Sequence, residues 1–410
     1  MAFVIYRHTL ASISLMYLST VCTSGLAQQS GQAAIKLGDS ELTPIVRIDY
    51  VTNSNAYLSP SDEVEATGFI VAPEFVLSAD RGGVDARVGY QGEYAGFSES
   101  ALDYDDHRLF ADVSAEISSR KRLLAAIDIS IEHEELGVER TEGSASADSE
   151  QVESLLTTIN TQYSYGALSA KGNAAVGVFA RSRGFRSRED ITEGEDFTEL
   201  TPFGRFSYRL SSDTRALLEA RYRIFNFDNS LLDRNELQIL TGLVFSGSSR
   251  VGGEAKFGLT SANYQSDAVK DTSLLAVDVN VYYLAASYSR ISLRAVREFN
   301  NADGRSFSGG AQTQTIDDLL ELSWDHKWST FVGTRASVSA FNRNRECPSI
   351  GTQTFSSTFE LGLSPRRWLE FGVGLQATDR SADNCEGLVQ ESSAREFDRQ
   401  KIGIYVRATL

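Results

Sequence analysis

The chain has 410 residues, 41% apolar and 23% charged, with 55 acidic against 39 basic side chains and a formal charge of −16. That balance excludes a nucleic-acid-binding surface, which needs an excess of Lys and Arg. With 22 phenylalanines, 16 tyrosines and only 6 prolines, the chain is too aromatic and too proline-poor to be disordered, and its length suits a few soluble domains or one large barrel.

Residues 1–27 read as a secretory signal peptide. Arg7 supplies the positive start, residues 10–21 are mostly apolar, and Gly25-Leu26-Ala27 offers small residues for cleavage. A membrane anchor is the alternative, but Ser, Thr and Cys interrupt the run and no basic cluster follows. Residues 28–43 read as a short periplasmic tail and residues 44–410 as one domain.

From there on the pattern has a period of two. Leu123, Ala125, Ile127, Ile129 and Ile131 interleave with Leu124, Ala126, Asp128, Ser130 and Glu132. Leu369, Phe371, Val373, Leu375 and Ala377 alternate in the same way with Glu370, Gly372, Gly374, Gln376 and Thr378. A helix repeats at 3.6, so these are strands. About eighteen of them begin near residues 44, 66, 84, 105, 122, 151, 172, 195, 214, 234, 250, 272, 289, 313, 330, 352, 367 and 397. Short connections alternate with longer polar ones at 53–65, 135–150, 300–312, 342–351 and 379–396. An up-and-down transmembrane barrel produces that alternation, with short periplasmic turns and longer outer loops. An even strand count leaves both ends in the periplasm. The fold class predicted is all-β, a transmembrane antiparallel barrel. A soluble sandwich also alternates, yet the charges at strand centres, as in Arg215, Glu219, Arg221 and Arg223, fit a barrel better. The final strand alternates Ile402, Ile404, Val406, Ala408 and Leu410 with Lys401, Gly403, Tyr405, Arg407 and Thr409, as the assembly signal of an outer-membrane barrel does.

Short motifs add a resemblance. Leu42-Thr43-Pro44 leads into Ile48-Asp49-Tyr50 and Asn53-Ser54-Asn55-Ala56-Tyr57; Val71-Ala72-Pro73 and Asp103-Tyr104-Asp105-Asp106-His107 follow, and an acidic stretch from Asp379-Arg380 precedes the last strand. Together they resemble the β-barrel porin family found with exopolysaccharide export genes. The resemblance implies a bacterial outer-membrane protein with a role in polysaccharide export, and it brings no catalytic residues.

If the apolar set faces lipid, the polar set faces the lumen. Pore-lining candidates are Arg215, Glu219, Arg221, Arg223, Glu254, Lys256, Arg290, Arg294, Glu360, Glu370 and Arg407. The arginines form either a cationic ladder for an anionic cargo or one half of an ion-pair network. Tyr282 and Tyr405 offer sugar-stacking surfaces. The longest connections run to roughly twenty residues, so no dedicated constriction loop is predicted. Cys347 and Cys385 fall in neighbouring outer loops, and a disulfide between them is predicted, with two free thiols as the alternative. No enzyme is predicted. His107, His133 and His326 lack a sequence-local nucleophile, and His133 beside Glu132 reads as a rim pair. No cofactor or metal is predicted either. The expected partners are outer-membrane lipid and lipopolysaccharide, the barrel assembly machinery and polysaccharide export proteins, with no nucleic acid. Export of exopolysaccharide, diffusion of small solutes and a closed structural or adhesive barrel all remain open functions.

Overall fold

The computed structural model describes residues 34–245, 250–267, 269–300, 315–344, 350–383 and 393–409. The predicted signal peptide, which holds Cys22, and Cys347 and Cys385 lie outside the described residues. The strands are β1 (Ile35–Leu37), β2 (Ser40–Asn53), β3 (Ala66–Arg81), β4 (Val84–Phe97), β5 (Tyr104–Ser118), β6 (Lys121–Glu134), β7 (Val152–Tyr165), β8 (Gly172–Phe185), β9 (Phe197–Arg209) and β10 (Thr214–Phe227). They continue as β11 (Arg234–Phe245), β12 (Val251–Tyr264), β13 (Thr272–Ala286), β14 (Ser289–Asn300), β15 (Thr315–Lys327), β16 (Val332–Asn344), β17 (Thr352–Arg366), β18 (Leu369–Ala382) and β19 (Phe397–Thr409).

From β2 onward each strand pairs antiparallel with its chain neighbours, and β19 returns to pair with β2, from Lys401↔Asn53 to Thr409↔Ile45. The result is a closed 18-stranded up-and-down barrel. A closed ring has no free edge, so every strand finds its backbone partners within the sheet. β1 lies outside the ring count and pairs with β2. The first barrel strand starts at Ser40 rather than near residue 44, because residues 40–43 continue the ladder against residues 76–79 of β3.

The two faces are inverted relative to a soluble protein. Leu259, Leu275, Phe69 and Ile404 expose 58–63% of their surface, whereas Lys256 and Glu236 are buried at 1% and 0%. A sandwich would bury the first set and expose the second; this barrel does the opposite, so lipid takes the apolar face. Tyr50 and Tyr94 lie toward the outer ends of β2 and β4, and Tyr288, Trp324, Trp328 and Trp368 lie at or beside the inner ends of their strands. His326 belongs to β15, where it packs among Trp324, Trp328 and Tyr288, with centroids 4.3–5.4 Å apart. The tight β3–β4 hairpin is a two-residue turn, Gly82-Gly83, with φ +61 and +82. Glycine adopts those angles without strain, and the turn's twist matches that of the strands.

Candidate functional site

Strand β6 ends at Glu134 and β7 begins at Val152, so the third outer loop, L3, comprises residues 135–151. It turns inward. Leu136 is fully buried, and Val138, Arg140, Thr141 and Glu142 are nearly so. Two apolar anchors set its course. Leu136 packs with Ala56, Tyr57 and Leu102, and Val138 with Leu58 and Phe397. Gly137 stands between them at φ +84, and a Cβ there would lie 2.6 Å from the Tyr57 carbonyl oxygen. Glycine alone accepts both that backbone and that approach. A 3-10 turn, Glu139–Thr141, follows. Thr141 Oγ1 closes it, accepting from Gly137 N at 2.9 Å and donating to the Val138 carbonyl at 3.2 Å. In the first outer loop the Tyr57 hydroxyl donates to Glu99 at 3.3 Å. Burial, and then that carboxylate, push its pKa up, so it stays a donor.

The charged side chains of L3 reach the facing wall. Glu135 accepts from Lys401 Nζ at 2.6 Å and Arg399 at 2.8 Å, both on β19. Glu139 accepts from both terminal nitrogens of Arg343 on β16, at 3.0 and 3.1 Å. Asp317 holds another edge of the same guanidinium at 3.0 Å. Glu142 bridges Arg380 on β18 at 2.9 Å and Arg395 at 3.2 Å. Arg140 turns back to Glu134 and, at 2.5 Å, to Glu195 in the next outer loop. Around the ring β16 stands eight strands from β6, so L3 spans the lumen. This overturns the expectation that no loop constricts the pore. Length was the wrong criterion: a modest loop suffices when apolar residues give it a buried floor and its carboxylates find wall cations. Behind it, a cavity of ≈ 90 Å³ opens between residues 132–139 and the β2–β6 wall, lined by Glu74, Gln91, Glu93 and Arg108.

The wall over β8–β14 carries a second arrangement. Arg205 donates to Glu219 at 2.7 Å and to Glu254 at 2.6 Å. Lys256 reaches Asp278 at 2.7 Å and Glu254 at 3.5 Å, and Arg221 pairs with Glu219. Arg223 meets Glu236 at 3.1 Å, Arg234 meets the same carboxylate at 2.8 Å, and Arg181 meets Glu199 at 2.8 Å. These cations and carboxylates neutralise one another, so Arg221 and Arg223 stand in an ion-pair lattice and not in a cationic ladder.

A family model matches residues 30–340. The chain belongs to the Putative beta-barrel porin 2 family. This porin is therefore an outer-membrane β-barrel protein of a channel family. A comparison with curated proteins gives no match. Among solved structures it is similar to OccAB4 of Acinetobacter baumannii, at 11% identity over 92% of this chain and 99% of that one, TM-score 0.48. It is also similar to OccK5 (OpdH) of Pseudomonas aeruginosa, at 10% identity over 91% and 98%, TM-score 0.47. A structure described as a bacterial polysaccharide outer membrane secretin is similar at 10% identity over 90% and 98%, TM-score 0.37.

The porin's remaining sequence candidates sit on the inward face. Glu370 accepts from the Tyr405 hydroxyl at 2.7 Å, and Arg47 lies 3.9 Å from the Tyr405 ring centroid. Arg290 lies 4.0 Å from that of Tyr282, so both tyrosines are covered by guanidinium groups. Glu360 stands opposite Arg335 in the register, and Arg407 lines the cavity behind L3. Arg294 faces Asn280 and Glu321 in the ladders on either side of β14. Arg215 ends at the Leu168 and Ala170 carbonyls of the β7–β8 turn. His133 pairs with Asp106 at 2.9 Å and stacks on Tyr104 at 3.8 Å, not with Glu132. The β5–β6 ladder ends at His107↔Ile131, and above it His133 N donates to Asp106 at 3.0 Å. Sequence reasoning missed Arg205, Glu236, Arg343, Arg380 and Arg399. Alternation places all five on lumen faces, but their partners lie on other strands or in L3.

Proposed function

We propose that this porin is a passive channel for small or extended hydrophilic solutes, with its bore set by L3. The observation that carries this reading is the fastening of Glu135, Glu139 and Glu142 to the facing wall, which holds a polar crosspiece in the path. Carboxylates and guanidinium groups on both sides of that crosspiece suit hydrated solutes and exclude apolar ones. Passage of an exopolysaccharide is the second reading, supported by the resemblance to barrels found with export genes. A polysaccharide must either thread past L3 as a single extended strand or displace it.

Single-channel recording from the refolded protein in a planar bilayer tests the proposal. A small, steady conductance is expected, rising at least twofold in the Glu135→Gln, Glu139→Gln, Glu142→Gln variant as L3 comes loose. Silence from both proteins, each shown to be a folded, heat-modifiable barrel, would sink the channel reading in favour of a closed barrel.

A further inference from the structure

At the periplasmic mouth, charge is arranged differently from the rest of the lumen. Arg122 stands at the start of β6, Arg209 ends β9, and Arg215 lies one residue into β10, all on the inward face. Arg209 and Arg215 are directly opposite in the ladder. Both donate to one oxygen, the Leu168 carbonyl, at 2.5 and 2.7 Å, so their head groups converge on the β7–β8 turn. Arg122 faces Ser164 in the ladder, and Gly166 N donates to the Arg120 carbonyl at 2.8 Å, so the start of β6 borders the same turn. Nη1 of Arg215 and Nη1 of Arg122 are buried with no hydrogen-bond partner. Among the described residues none of the three makes an ion pair, although Glu116 faces Arg122 in the register. Arg87, near the same mouth, is by contrast paired with Asp112.

Three guanidinium groups gathered without an ion-paired carboxylate repel one another, and buried N–H groups with no acceptor are costly. A planar or tetrahedral oxyanion removes both penalties, because guanidinium groups bind such anions through paired N–H donors. We propose that Arg122, Arg209 and Arg215 form a binding site for the oxyanion group of a solute, a carboxylate or a phosphate, at the periplasmic mouth. The site gives such a solute a holding point at that end of the lumen. It stands independently of whether the barrel conducts, because binding is read directly.

The test is isothermal titration of the full refolded barrel in detergent with inorganic phosphate, glucuronate and, as a neutral control, glucose. Saturable binding of phosphate or glucuronate is expected, with none of glucose; which of the two binds more tightly separates a phosphate from a sugar-acid cargo. Affinity should fall about tenfold or more in the Arg209→Gln, Arg215→Gln variant, the loss of charge-assisted hydrogen bonds, and stay unchanged in Arg87→Gln. Arg122→Gln gives the same reading if the double variant does not fold, since among the described residues no hydrogen bond is lost with that side chain. Absence of binding by either anion, affinity unmoved by the site variants, or an equal loss in Arg87→Gln would overturn the proposal.

Discussion

On the wall from β8 to β14, oppositely charged side chains mostly meet across the strand ladder: Arg205 faces Glu219, Arg223 faces Glu236, Lys256 faces Asp278 and Arg181 faces Glu199. On the other side of the lumen, Glu135, Glu139 and Glu142 reach cations on strands that β6 and β7 never touch. Register holds the first set, and the path of one loop holds the second. The lattice therefore lasts as long as the barrel does, whereas L3 can leave the wall without any strand unpairing. On the proposed channel reading, stability and permeability rest on different ion pairs.

Mutations can separate the two. Glu219 serves Arg205, Arg221 and Lys256, so Glu219→Ala leaves buried cations without their carboxylate and should cost about 3–5 kcal/mol, read by urea unfolding in detergent micelles. On the lipid face, Leu259→Arg near the middle of β12 should cost about 2–4 kcal/mol by the same measurement. In the loop, Gly137→Ala combines a positive φ with the close approach to Tyr57 and should cost about 1–3 kcal/mol locally. It should open L3 to protease while barrel unfolding barely moves; equal losses in both would show that loop and barrel are one cooperative unit. Raising salt from 0.1 to about 1 M, which shortens the Debye length to about 3 Å, should increase conductance beyond the bulk-salt trend in the parent and leave the L3 triple variant on that trend. The smallest effect expected is from the proposed Cys347–Cys385 clip: thiol titration of unreduced protein without residues 1–27, and so without Cys22, should find none, and two free thiols would end that proposal.

Much of this was legible in the sequence. The strand starts near 66, 84, 172, 214, 234, 272, 289, 352 and 397 match β3, β4, β8, β10, β11, β13, β14, β17 and β19, because a lipid-facing set and a water-facing set impose an unbroken two-residue period. The inward face of Glu219, Arg221, Arg223, Glu254 and Lys256 followed from the same alternation. Whether those charges pair depends on which residues stand opposite, and that requires the register. L3 was not legible because its partners lie far along the chain, with Glu139 meeting Arg343 and Glu142 meeting Arg380. One signal was present: Leu136 and Val138 flank a glycine in a loop otherwise polar, a pattern with no use on a solvated rim.

The β19–β2 pairing carries a consequence for how the molecule is made. It joins residues from the two ends of the sequence, as in Tyr405↔Asp49, while every other barrel pair joins strands adjacent in the chain. Hairpins can zip one onto the next with short loop closures, but the seam must close the longest loop of all. It is therefore expected to form last, and until then β2 and β19 are two open edges competing for any strand nearby. At that seam Arg47 bonds Asp49 at 2.7 Å on its own strand and lies over the Tyr405 ring from the other, so the final step of barrel closure is also the one that clips an interior latch.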